Sequence, residues 1–320
     1  MTSTLSNPRL SAALDEYLAQ RRARGYLLVE AERHLHRFIE WLWERGNHSD
    51  CFTTEEVLHW VHGNGTLRVT YQAQKLGTLR GFSAYCQGLG IDAALVSPRC
   101  LPPSRSRATP HIYTQTEVDA LLEACPKVFH RHPFVAETMT TMIRLLCATG
   151  MRVSEALKIE TGDIDTNSGT LLVKASKGGP HHLIPLPASA TGALHSFAHS
   201  PERTRLHLRV GELLFISMRR KPHQPLGIQS NFARLRADCG IEWEGRLPRL
   251  HDFRHTFATR QMIRAYTAEG SSPANTLALV SNWLGHSDPS HTYWYIQNIP
   301  ELLALAAGRR DTPNRTENQS

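Results

Sequence analysis

Apolar residues recur at three- and four-residue spacing from Leu10 to about Gly90. In LSAALDEYLAQRRARGY the apolar set is Leu14, Tyr17 and Leu18, and in EAERHLHRFIEWLWERG it is Leu35, Phe38, Ile39 and Leu42. Such positions gather on one face of an α-helix, so two amphipathic helices are expected here. Thr53-Thr54-Glu55-Glu56 reads as the start of a third, with acidic side chains in its first turn ahead of Val57, Leu58 and Val61. The span Thr66 to Leu89 supplies a fourth, with Gly88 and Gly90 marking its end. The periodicity then stops. VSPRCLPPSRSRATPHIYT, Val96 to Thr114, holds four prolines and the arginines Arg99, Arg105 and Arg107, the composition of an extended linker. The domain boundary falls there, giving an N-terminal helical domain over 1–96, a basic Pro-rich linker over 97–111 and a second domain over 112–308.

Helical patterning resumes at TQTEVDALLEAC and again at PFVAETMTTMIRLLCATG. TLLVKA (Thr170 to Ala175) and HLIPL (His182 to Leu186) read as two short strands around SKGGPHH, a hairpin-like turn. The stretch 211–216 (GELLFI) reads as a third strand, and the pattern is helical again from Ile228 onward. The expected fold class is mainly α with a small antiparallel β-sheet, followed by a polar, disordered tail over 309–320.

At 320 residues the chain is long enough for two domains with separate cores, and 41% hydrophobic with 20% charged residues is a soluble globular balance. The formal charge of +7 favours a polyanionic partner, nucleic acid before an anionic membrane. Arg21, Arg22, Arg24, Arg68, Lys75 and Arg80 decorate the first four helices. Taken singly, each is the ordinary solvated face of a helix. With Arg99, Arg105 and Arg107 of the linker they form the candidate set of DNA contacts. Cys51, Cys86, Cys100, Cys125, Cys147 and Cys239 include no Cys-x-x-Cys pair, so reduced thiols are expected. No apolar run approaches the roughly 18 residues of a membrane span, and the first residues lack an apolar signal core. A cytoplasmic protein with no membrane partner is expected.

Several chemical signatures are missing: a Walker phosphate loop, GxGxxG, His-Glu-x-x-His and Gly-x-Ser-x-Gly. His130/His132 and His181/His182 have no carboxylate or cysteine partners at ligand spacing, so no metal or other cofactor is expected. Three stretches remain. In ATGMRVSEAL, Gly150 ends one helix, Arg152 sits at the junction, and Ser154, Glu155 and Leu157 lie on the next. In LHDFRHTFATR, His251 and Arg254 are three apart, which on a helix lets both meet a single anionic group. LGHSDPSHTYWYIQ holds two histidines and, two apart, Tyr293 and Tyr295. Alone, these would be a turn, a surface pair and packed aromatics.

In this order, with a lysine-bearing hairpin between the first two, the stretches resemble the tyrosine recombinase (phage integrase) family. The resemblance covers about Thr114 to Pro300 and, more loosely, the N-terminal helices. The spelling HTYWY followed by PELLALAA is similar to integrases of mobile elements. The resemblance implies a four-helix, SAM-like N-terminal domain that binds core DNA, and a catalytic domain over 112–308 with a helix after the tyrosine. It assigns Arg152 as the first catalytic arginine with Glu155 in support, Lys177 as the hairpin lysine, His251 and Arg254 as the second box, and His286 as the histidine of Leu-Gly-His. The family nucleophile lies nine positions beyond that histidine, at Tyr295. The implied partner is double-stranded DNA with a specific recombination site, bound by a homo-tetramer with accessory proteins. The apolar segment Leu302, Leu303, Leu305, Ala306 would dock on a neighbouring protomer or on its own chain.

These residue types suit the chemistry. Attack on a phosphodiester gathers charge on the nonbridging oxygens, and arginine is a permanently charged, planar fork that clamps them. Lys177 would protonate the leaving 5′ oxygen, with Lys174 as the second candidate. Tyrosine, with a pKa near 10, needs His251 or His286 to take its proton. A phosphotyrosyl ester conserves the energy of the cleaved strand, so rejoining needs no ATP, and arginines in place of a metal clamp need no Mg²⁺. Two alternatives use overlapping features: a type IB topoisomerase that relaxes supercoils without exchanging partners, and an architectural DNA-binding protein that has lost catalysis. The compact N-terminal helices and the complete residue set argue against them.

Overall fold

The first amphipathic stretch folds as α1, Pro8–Ala23, opened by Asn7, whose side-chain oxygen accepts from the backbone N–H groups of Arg9 and Leu10. It is followed by α2, Val29–Glu44, α3, Thr54–His62, and α4, Val69–Gly88. Thr53 and Glu56 close a capping box on α3: Glu56 N–H donates to the Thr53 hydroxyl (3.2 Å) and Thr53 N–H to the Glu56 carboxylate (2.7 Å). These belong to a computed structural model, which describes residues 7–102, 109–174, 181–207, 212–242, 247–268, 272–285 and 302–303. The chain divides into two compact units, Met1–Ala108 and Thr109–Ser320.

The first unit buries the periodic positions together: Leu14, Leu18, Leu35, Phe38, Ile39, Leu42, Val57, Val61, Leu76, Leu79 and Phe82 form one core. Val96 and Leu101 also pack on it, so the apolar part of the Pro-rich stretch is held by this unit. Lys75 lies inside as well. Its ammonium sits 3.7 Å from the centroid of the Trp60 ring and donates to the Trp60 carbonyl. Burial lowers its pKa to about 8.

In the second unit, α5 (Gln115–Val128) leads to α6 (Pro133–Thr149) and the short α7 (Val153–Ala156). The sheet follows as β1 (Ile164–Asp165), β2 (Thr170–Val173) and β3 (His182–Pro185). The helices α8 (Ala188–Ala198), α9 (Pro201–Arg205), α10 (Pro225–Asp238), α11 (Asp252–Thr267) and α12 (Pro273–Trp283) complete it. Met139, Met142, Ile143, Leu145 and Leu146 of α6 are all buried, with α5, α8 and α11 packed around that helix. The whole is mainly α with a small antiparallel sheet.

The sheet corrects one expectation. Its order is β1-β2-β3, with Leu171 paired to Ile164 on one side and to Ile184 on the other. The third strand is therefore Ile164–Asp165, not 211–216, where Leu213 and Ile216 make only isolated bridges to Glu160 and Pro222. The apolar Leu214 and Phe215 are apolar because both are completely buried in the core. The β1–β2 turn is made by Asp165, whose carboxylate accepts from the N–H groups of Asn167 (2.9 Å) and Ser168 (3.2 Å). Two paired residues are too few to show an alternating pattern.

Leu302 is fully buried against Met262 and Leu277 of its own chain, while Leu303 is exposed. All six cysteines are free. No described helix is long and apolar enough to cross a membrane.

Candidate active site

The end of α6 is where the motif-bearing stretches meet. Gly150 terminates the helix with φ +62°, a left-handed conformation, and a Cβ there would lie 2.6 Å from Cδ1 of Phe257. Gly150→Ala is therefore expected to destabilise the fold by about 2–4 kcal/mol, from backbone strain plus overpacking, read as a lower denaturation midpoint in urea. The chain then turns so that Arg152 precedes α7. Its N–H donates to one oxygen of the Glu155 carboxylate (2.8 Å) and its guanidinium to the other (2.6 Å). Glu155 is buried, whereas the Arg152 side chain is 39% exposed, so the pair fixes the arginine while leaving it open to solvent.

Helix α11 supplies the second stretch, with His251 at its N-terminal boundary and Arg254 in its first turn. Arg254 is only 3% exposed. Its Nη1 donates to the Gly150 carbonyl (3.2 Å) and its Nη2 to the Leu284 carbonyl (2.6 Å). Alongside, the Trp283 indole N–H donates to the Thr149 carbonyl (3.0 Å). The last carbonyls of a helix have no partner within it and carry the negative end of its dipole, so a cation and an indole N–H are fitting caps. One guanidinium thus joins the arginine turn, the His-x-x-Arg helix and the Leu-Gly turn that precedes His286.

His251 keeps exposed surface, yet the burial of its ring among neighbouring groups lowers its pKa. The charges of Arg254, Arg249 and Arg152 lower it further, and Asp252 opposes them. His251 is consequently neutral near pH 7 and available as a proton acceptor. The His255 ring stands edge-on to it, 5.2 Å away at 89°.

On the hairpin, β2 runs into Lys174, whose ammonium meets the Glu160 (3.0 Å) and Asp163 (3.1 Å) carboxylates. Those hydrogen bonds raise its pKa, the opposite of what a general acid requires. At the other end of the hairpin, His182 lies beside Gly285: a Cβ on that glycine would be 3.8 Å from the His182 ring. Lys177, His286 and Tyr295 lie outside the described residues, as do His291, Tyr293, Trp294, Arg105 and Arg107.

The basic residues of the first unit are placed differently from one another. Arg24, Arg68 and Arg99 are exposed. Arg22 pairs with Glu32 (2.5 Å), and Arg21 covers the Tyr26 ring at 4.0 Å. Arg80 donates to the Val96 carbonyl. Lys75, an expected DNA contact, is instead an interior residue; the aromatic face and carbonyl of Trp60 take the place of solvent around its ammonium. Two residues unmarked by the motifs also belong to the site's framework, Trp283 and Tyr113; the latter is bonded to α11 by its backbone N–H, 143 positions away in sequence. Among the described residues, no group of three or more His, Cys, Asp or Glu side chains is arranged to hold a metal ion.

Residues 112–301 match the model of the phage integrase family. The chain is 30% identical over 305 residues to the provisionally named integrase/recombinase y4rB of Sinorhizobium fredii, covering 93% of this chain and 95% of that protein. In fold it is similar to the XerH site-specific recombinase bound to palindromic difH substrate, with a TM-score of 0.64 at 19% identity over 87% of this chain and 78% of that one. It is likewise similar to a lambda integrase tetramer bound to a Holliday junction, with a TM-score of 0.58 at 22% identity over 88% and 78% of the two chains. The matched domain and the near full-length relative agree with the arginine and histidine geometry at the end of α6: the chain belongs to the phage integrase family and is a tyrosine-type site-specific recombinase.

Proposed function

We propose that the protein cleaves and rejoins double-stranded DNA at a specific recombination site through a covalent 3′-phosphotyrosyl intermediate, with Tyr295 as nucleophile. The observation that carries this reading is the Arg254 guanidinium bonded to the Gly150 and Leu284 carbonyls, because it converges the three motif stretches on one point. Arg152 and Arg254 clamp the nonbridging oxygens of the scissile phosphate. The Tyr295 oxygen attacks phosphorus as its proton passes to His251 or His286. The P–O5′ bond breaks, and the leaving oxygen takes a proton from Lys177. A 5′-hydroxyl from another strand reverses these steps, so no nucleotide or divalent ion is consumed. The ion-paired state of Lys174 favours Lys177 as the acid.

The region 1–96 serves as a SAM-like clamp on core DNA, with Arg21, Arg22, Arg24 and Arg68 toward the backbone. Arg99, Arg105 and Arg107 of the 97–111 linker cross it, and residues 112–308 carry catalysis in the cytoplasm. Four copies assemble on two DNA sites, aided by accessory proteins; the tetrameric lambda integrase complex, a neighbour in fold, supports this.

The test uses the full chain and its footprinted DNA site, nicked beside the scissile phosphate so that the leaving strand diffuses away. Covalent protein–DNA adducts should collect on a denaturing gel, undiminished by EDTA. Absence of adducts, or their loss with EDTA, refutes the mechanism. Supercoil relaxation without strand exchange would favour the topoisomerase alternative.

A further inference from the structure

Tyr113 is 1% exposed and grips α11 and the residues just before it at four points. Its N–H donates to the Thr256 hydroxyl (2.9 Å), which in turn donates to the Asp252 carbonyl (3.0 Å). Its carbonyl accepts from Arg260 (3.1 Å). Its ring stacks on Phe253 with centroids 4.2 Å apart and planes 13° apart. Its phenol donates to the carbonyl of Arg249, two residues before His251 (3.2 Å).

The tyrosine is itself held firmly. Thr114 caps α5 in a reciprocal box with Glu117, and the same carboxylate meets His111, whose ring stands edge-on to Tyr113 at 4.7 Å. Burial pushes the phenol pKa well above the usual tyrosine value, so the group stays protonated and remains a donor. A buried aromatic on Phe253 would serve packing alone. The hydroxyl does something packing does not require: it ties down the peptide that leads into His251.

We propose that Tyr113 is a positioning residue for the DNA-cleaving site, holding the Arg249–Arg254 turn so that His251 and Arg254 face one phosphate. This rests on the reading of the site given above. His251 is faced by Arg249, Asp252, Arg254 and His255 from its own stretch and by Arg152 from the α6–α7 junction. Loosening the turn changes the distances of the ring to those groups and to water.

Tyr113→Phe keeps the ring and deletes only the bond to the Arg249 carbonyl. With a nicked duplex of the footprinted site, its affinity in a gel shift should match wild type, while its adduct-forming rate at saturating DNA falls roughly five- to tenfold, the scale of one lost hydrogen bond. In full-length protein labelled with ¹³C-histidine, the His251 resonance, assigned against His251→Gln, should titrate at a higher pH than in wild type. A role in packing alone would lower the melting temperature and leave both the rate and the titration unchanged, and that result overturns the proposal. The titration needs no cleavage. If wild type forms no adduct, the phosphotyrosyl mechanism fails, while the position of the His251 titration still decides the role of Tyr113.

Discussion

Full-length protein carrying Tyr295→Phe is expected to bind its DNA site and form no covalent adduct, whereas Tyr293→Phe still forms them on the same nicked duplex. Residues two apart on a helix point about 200° apart, so the proposal that a helix carries these tyrosines leaves only one of them to serve as nucleophile beside Arg152, His251 and Arg254. In the family that this chain resembles the nucleophile lies nine positions beyond the histidine of Leu-Gly-His, which is why Tyr295 is the one proposed. Phenylalanine preserves the ring and removes the only atom able to form the phosphotyrosyl bond, so the expected loss is complete. The pH dependence in wild type follows from the acceptor. A phenol with a pKa near 10 must give up its proton, and a histidine accepts it only when neutral. The His251 pKa lies below the ordinary imidazole value, so the neutral form persists as pH falls through neutrality and is lost only below that depressed pKa. If His251 is the base, adduct formation stays level at neutral pH and declines on the acid side of the ordinary histidine range. Adducts from Tyr295→Phe and none from Tyr293→Phe would reverse the assignment.

What the sequence showed of this site depended on how local each requirement was. Arg152, His251 and Arg254 stood out as candidates because phosphoryl chemistry restricts the residue types it can use, and their placement around the end of α6 was legible because a turn or a helix face fixes their spacing. The core of the first unit was legible for a similar reason, since Leu14, Leu35, Phe38 and Val57 follow the helical period. Lys75 was read wrongly because a lysine in a helix carries no mark of facing solvent or the ring of Trp60. Strand β1 left no alternation to read, because an Asx turn and two paired residues suffice to form it. Tyr113 and Trp283 act across long sequence separations, through a backbone N–H, a carbonyl and an indole, and no local pattern records such partners.

Removing either arginine should slow adduct formation by roughly a hundredfold or more, since each preorganised donor set stabilises the transition state by a few kcal/mol. Their effects on folding should differ. Arg254 is buried and satisfies two carbonyls from separate stretches, Gly150 and Leu284. Arg254→Met leaves both acceptors without that donor, and the expected cost in stability is about 2–4 kcal/mol. Arg254→Lys should restore little of the rate, because a single ammonium does not span both carbonyls and a phosphate as a planar fork does. Arg152 is partly exposed and among the described residues its side chain pairs with Glu155, which also accepts from the Arg152 backbone N–H. That backbone bond survives in Arg152→Met, so its stability cost should be about 1 kcal/mol or less. Urea unfolding alongside adduct kinetics separates the two arginines. Equal stability losses would mean that Arg254 does not hold the three stretches together, and its part in the site would reduce to charge alone.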